Sequence, residues 1–132
     1  MNFDHISIYL HWPFCDSKCP YCDFNSHVRK EVIQKDWLQG YLNNMRLWFS
    51  VFQKPNIETL YFGGGTPSLM DPNIVSDFIE NLYKSCSISE NIEISLEANP
   101  SSVERKKFKD YASAGINRIS IGVQAFDDRD LK

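Results

Sequence analysis

Apolar and polar positions change rhythm several times along the chain. Residues 6–10 form a short apolar run of strand length. Over residues 28–52, apolar side chains recur at helical spacing through Ile33, Trp37, Tyr41, Met45, Phe49 and Phe52. Gly40 weakens that helix by about 1 kcal/mol relative to Ala without breaking it, and Pro55 ends it. Residues 57–62 read as a second strand. Asp71 and Pro72 open the next helix, with an Asp cap and a Pro in the first turn, where its missing N–H costs nothing. Ile74, Phe78 and Leu82 form its buried stripe. Ile92, Ile94 and Leu96 then alternate with Glu93, Ser95 and Glu97, the period of a strand. Ser101 and Glu104 have the spacing of a capping box for a third helix, and Gly115 supplies its left-handed end. Residues 116–123 form a fourth strand, and residues 127–132 begin a fourth helix.

The predicted order is β-α-β-α-β-α-β, an α/β fold of about four parallel strands. Right-handed crossovers follow from strand twist. In such folds ligands sit on the loops after the strands' C-terminal ends. Trp37, Trp48 and Phe49 are assigned to the core. At 132 residues the chain is too short for a closed eight-stranded barrel, which takes about 250.

Charge and cysteine content narrow the chemistry. With 14 basic and 17 acidic residues the net charge is −3, which argues against a nucleic-acid partner. No apolar run is long enough to span a membrane. The first residues lack the basic head and apolar stretch of a secretory signal, so a cytoplasmic location is expected. Cys15, Cys19 and Cys22 cluster, whereas Cys86 is remote and reads as a buried or partly buried free thiol. Clustered cysteines in a chain without an export signal favour metal binding.

The loops carry the candidates. After the first strand, Cys15, Cys19 and Cys22 stand in C-x3-C-x2-C spacing. Three such thiolates suit an iron–sulfur cluster that keeps one iron open to a small molecule. The alternatives are a zinc site with His11 or His27 as fourth ligand, and a disulfide. After the second strand, Gly63, Gly64, Gly65 and Thr66 let backbone approach a ligand closely. The Lys-Ser/Thr ending of a phosphate-binding loop is absent. After the third strand Glu97 can receive an ammonium or ribose hydroxyls, and after the fourth Gln124 offers both a donor and an acceptor.

Five ordered segments then carry a resemblance: 11–15, 19–22, 63–68, 97–100 and 118–124. Together they resemble the radical S-adenosylmethionine superfamily, and within it the oxygen-independent coproporphyrinogen III oxidase family. The resemblance implies a partial (β/α) barrel with helices on one face. It implies that Cys15, Cys19 and Cys22 bind three irons of a 4Fe-4S cluster. The fourth iron would be chelated by the amino and carboxylate groups of S-adenosylmethionine. It assigns cofactor contacts to Tyr9, Tyr21, Gly64, Gly65, Thr66, Glu97 and Gln124. An electron donor is implied as a partner.

Two departures refine this expectation. The oxidase carries a further cysteine two positions after the third, where this chain has Phe24. That segment is similar to the heme-chaperone branch, whose partners are heme and a heme acceptor protein; the heme site is expected outside this chain. Family members are also much longer. The expectation is therefore the N-terminal part of the core domain, residues 1–132, with the remaining barrel and C-terminal domain absent. A second chain completes it, or it is an incomplete remnant.

Overall fold

The computed structural model describes residues 5–52, 55–100 and 102–131. Its elements run β1 (His5–Trp12), β2 (Phe14–Cys15), β3 (His27–Val28), α1 (Gln34–Phe52), β4 (Asn56–Gly64), α2 (Pro72–Ser85), β5 (Ser87–Ala98), α3 (Ser102–Ser113) and β6 (Arg118–Ile121). A 3-10 turn, Pro67–Leu69, lies between β4 and α2.

Strands β1, β4, β5 and β6 form one parallel sheet in that spatial order. Each helical crossover steps to the next strand in the same direction, so a common hand puts the helices on one face. Alternation supplies that face with Leu10 and Trp12 from β1, Leu60 and Phe62 from β4, and Ile94 and Leu96 from β5. Leu42 and Met45 of α1, Phe78 and Leu82 of α2 and Tyr111 of α3 close on them in one cluster. Each fully buried aliphatic or aromatic side chain contributes about 1.5–3 kcal/mol of transfer free energy. Register breaks after Ile6 and Ile57 leave Glu58 and Thr59 together outside the core and return Leu60 to it.

The α/β expectation is met, with several local corrections. Residues 28–33 are not helical: His27 and Val28 instead pair with Phe14 and Cys15. Ile33 lies before α1 and is exposed. Trp37 and Trp48 are 37% and 51% exposed rather than core. The core face of α1 runs through Leu42 and Met45, while Phe49 packs at its margin. β1 is an edge strand, and among the described residues no further layer covers the flank of α1 that carries Trp48. β5 starts earlier than the alternation suggested, because Ser87 and Ile88 pair with Asn56 and Ile57. β6 is shorter, Arg118–Ile121. Residues 127–131 form turns, not a helix. There the Asp127 carboxylate accepts from the Arg129 backbone N–H at 2.9 Å and from its guanidinium at 2.6 Å. The capping-box Ser101 lies outside the described residues.

Two helix ends follow their sequence signals. Asp71 caps α2, its carboxylate accepting from the Asn73 N–H at 2.9 Å. Gly115, with φ +109°, ends α3 in the left-handed region.

Candidate functional site

Backbone hydrogen bonds place the cysteine segment. The stretch from Trp12 to Cys15 is bonded along both edges. On one side the His27 N–H donates to the Pro13 carbonyl at 2.7 Å and the Arg29 N–H to the Cys15 carbonyl at 3.3 Å. On the other, the Gly65 N–H donates to the Trp12 carbonyl at 2.7 Å and the Thr66 N–H to the Phe14 carbonyl at 2.8 Å. Continuation of β4 beyond the sheet therefore runs directly against Cys15.

Glycine is required at that approach. A Cβ on Gly65 would lie 2.6 Å from the Phe14 carbonyl oxygen and 2.9 Å from the Cys15 sulfur. One on Gly64 would lie 2.6 Å from the Trp12 carbonyl and 2.8 Å from the His11 ring, at a φ of +118°. The Gly64 N–H donates to one oxygen of Glu97 at 3.2 Å. The Tyr61 hydroxyl donates to the other at 2.7 Å. Loops after β1, β4 and β5 thus meet at one end of the sheet.

Gly64, Gly65, Thr66, Glu97 and Gln124 line a single cleft of about 180 Å³, joined by Phe24 from the cysteine loop. Gln124 adopts φ 66°, a left-handed conformation that costs a non-glycine residue about 1 kcal/mol. Five of the seven cofactor-contact positions expected from sequence thus share one space. Tyr9 sits outside that lining, on the polar face of β1, where its ring stacks on Tyr61 at 6.1 Å. Tyr21 is 67% exposed on the cysteine loop. A hydrogen bond with Cys19 raises the Tyr21 phenol pKa, with desolvation adding to it.

All four cysteines are free. Cys15 is buried, Cys22 half-buried and Cys19 exposed, and the Cys22 N–H closes a turn on the Cys19 carbonyl at 3.1 Å. Among the described residues no three His, Cys, Asp or Glu side chains converge as a metal-ready set. The disulfide alternative is not adopted. The zinc alternative through His11 meets an engaged ring. His11 Nε2 lies 2.9 Å from the Asn25 carbonyl, which can only accept, so that nitrogen carries the proton. Nδ1 then accepts from the Tyr9 hydroxyl at 3.0 Å. His11 ties the cysteine loop to β1 instead.

Beneath the cleft, the buried Tyr111 hydroxyl reaches the Ser68 and Met70 carbonyls at 2.7 and 2.8 Å. Gln34 at the start of α1 bonds both the Leu69 carbonyl and the Asp71 N–H, at 3.3 and 2.7 Å. These contacts fix the 3-10 turn that follows the glycines. The sequence reading missed Tyr61. The available signal was its position on the same strand face as Gly63, two residues before the glycine loop.

The cysteine loop, the glycine-rich loop, the strand-end carboxylate and the glutamine thus gather at one end of the sheet. The sequence model of the radical SAM superfamily matches residues 9–132, and the chain belongs to that superfamily. More particularly, it is similar to the heme chaperone HemW. It is 43% identical to the Escherichia coli protein, covering 96% of this chain and 34% of that protein. It is 41% identical to the Haemophilus influenzae protein, again over 96% of this chain and 34% of that one. Among solved structures it matches the coproporphyrinogen III oxidase HemN from Escherichia coli, a radical SAM enzyme, with TM-score 0.80 and 26% identity. That match covers 97% of this chain and 30% of HemN. The fold is thus a four-stranded section of a radical SAM (β/α) barrel, and the chain spans about a third of the length of these relatives. Among the described residues no helix is long and apolar enough to cross a membrane.

Proposed function

We propose that this chain forms the N-terminal part of the radical SAM core of a heme-chaperone-like protein. Cys15, Cys19 and Cys22 hold three irons of a 4Fe-4S cluster. Gly64, Gly65, Thr66, Glu97 and Gln124 receive S-adenosylmethionine, with Tyr9 and Tyr21 at the margins. The observation that carries this reading is the join between the loops. Gly65 has no room for a Cβ because the Cys15 sulfur and the Phe14 carbonyl are there, and the adjacent Gly64 N–H is bonded to Glu97. Soft thiolates suit iron–sulfur chemistry, and a carboxylate beside exposed backbone N–H groups suits a zwitterionic amino-acid head.

When bound, the pair supplies one-electron chemistry, with an external donor as the source of the electron. This chain's residues bind, orient and enclose. The glycines present backbone, Glu97 presents its carboxylate, and Gln124 presents an amide. The cleft, at about 180 Å³, is smaller than the roughly 300–1,000 Å³ of a typical small-molecule pocket. Further enclosure comes from the rest of the family fold or from a second chain. Heme and its acceptor protein engage that further part. Phe24 at the cleft, in place of the oxidase's extra cysteine, favours the chaperone reading over porphyrinogen decarboxylation.

The test is anaerobic reconstitution with iron and sulfide, followed by calorimetry with S-adenosylmethionine. Acid-labile sulfide and binding are expected, with binding weakened and the cluster intact in Glu97→Ala. Stoichiometric zinc without acid-labile sulfide would overturn the reading. Decarboxylation of a porphyrinogen by the loaded protein would move it to the oxidase branch.

A further inference from the structure

Tyr61 sits in β4 on the sheet face that carries no helices, between Tyr9 on one neighbouring strand and Glu97 on the other. Its ring stacks on Tyr9 with an interplanar angle of 21°. Its hydroxyl donates to Glu97 Oε1 at 2.7 Å while the Gly64 N–H takes Oε2 at 3.2 Å. We propose that Tyr61 is a positioning residue: its phenol sets the rotation of the Glu97 carboxylate, and so the direction in which that group meets the polar head of S-adenosylmethionine. The proposal rests on the reading of Glu97 given above.

Several observations carry it. A carboxylate held by one donor can swing about its terminal torsion, which is broad and roughly two-fold. Two donors on its two oxygens, both from β4, fix the plane. Each oxygen keeps a lone pair for a ligand. The phenol is a dependable donor: desolvation first, then the bond to Glu97, push its pKa up to about 12. It therefore stays protonated across physiological pH. The two rings lie over Gly63, in space that a Cβ there would contest at 2.8 Å from Tyr61 and 2.7 Å from Tyr9. Stack and hydroxyl thus have separable roles, packing on one side and aiming on the other.

Tyr61→Phe separates them, since it keeps the ring and removes only the O–H. In the anaerobically reconstituted chain the cluster content should match the parent. The S-adenosylmethionine dissociation constant should rise up to about tenfold, the cost of re-ordering a carboxylate left free to rotate. The concentration of S-adenosylmethionine needed to perturb the electron-paramagnetic-resonance signal of the reduced cluster should rise in parallel. Glu97→Gln tests the underlying reading on its own and should also weaken binding. In the double variant Tyr61→Phe should add less than twofold, because there is no carboxylate left to aim. Unchanged binding in Tyr61→Phe with weakened binding in Glu97→Gln would overturn the positioning role alone. A full tenfold loss from Tyr61→Phe in the Glu97→Gln background would overturn it too, since the phenol would then act independently. Unchanged binding in Glu97→Gln, or none by the parent chain, would overturn the reading beneath it and the proposal with it.

Discussion

Replacing Gly65 by Ala adds one methyl group where two segments of backbone are already in contact. The new Cβ would stand 2.6 Å from the Phe14 carbonyl oxygen, about 0.8 Å inside the 3.4 Å at which ordinary contact begins. The obstacle is backbone, so no side-chain rotation relieves it. The two segments must separate, which stretches the Gly65–Trp12 and Thr66–Phe14 bonds from 2.7 and 2.8 Å. Losing much of both costs about 1 kcal/mol each, and overpacking adds about 1–3 kcal/mol. A total near 3 kcal/mol lowers the thermal midpoint by roughly 10 °C in a domain of this size. The same methyl would sit 2.9 Å from the Cys15 sulfur, so cluster loading should fall with stability. Gly40→Ala is the internal control. Nothing lies within 4 Å of a Cβ there, and a helix-interior Gly→Ala change should stabilise by about 1 kcal/mol. Circular-dichroism melts of the two variants should move in opposite directions, and acid-labile sulfide should drop only in Gly65→Ala. If Gly65→Ala melts with the parent and loads a full cluster, the close approach of the two loops is refuted.

Three further outcomes are expected. Cys19→Ala should abolish the cluster, because two thiolates leave two irons unligated; a retained cluster absorption spectrum would remove the ligand assignment. Tyr111→Phe should cost about 1–2 kcal/mol in urea unfolding, since the Ser68 and Met70 carbonyls lose a buried donor; an unchanged midpoint would count against that support. Desolvation raises the Cys86 thiol from 9.0 to about 11. The folded chain holds that proton more tightly than the unfolded one, so its contribution to stability is complete below about pH 9 and is lost as pH rises through about 11. Alkylation kinetics check this: Cys86 should be slower at neutral pH than the exposed Cys19, and equal rates would contradict it.

What was legible in the sequence was local. Ile92, Ile94 and Leu96 against Glu93, Ser95 and Glu97 declares both faces of β5, so Glu97 could be placed at the mouth before any coordinates. The cysteine and glycine clusters were legible because so few other side chains can do their work. What stayed hidden depends on distant partners. Tyr61 stands between Leu60 and Phe62 in an apolar stretch, so it reads as core, although its strand face turns it toward Glu97. His27 and Val28 form a strand only because Phe14 and Cys15 pass beside them. Helical spacing in α1 marks an apolar flank but not whether a second layer covers it, which is why Trp48 was misplaced. Asp127 has a helix cap's composition, yet Arg129 offers it a closed local turn instead.

The same alternation that builds the core aims the site. Parallel strands usually carry near-continuous apolar runs, because both faces of the sheet are covered. Here one face holds the core while the other carries Tyr9, Tyr61, Glu93, Glu97 and Arg118. Those polar groups answer one another across strands: Tyr61 to Glu97 at 2.7 Å, and Arg118 to Glu93 at 2.8 Å. A slip of one residue in β5 would exchange Leu96, fully buried against the helices, with Glu97 at the cleft. Burial of Ile94 and Leu96 forbids that slip energetically. The aim of Glu97 is therefore fixed from behind, by apolar residues that touch no ligand. The phenol of Tyr61 has only the last rotation of the carboxylate left to set.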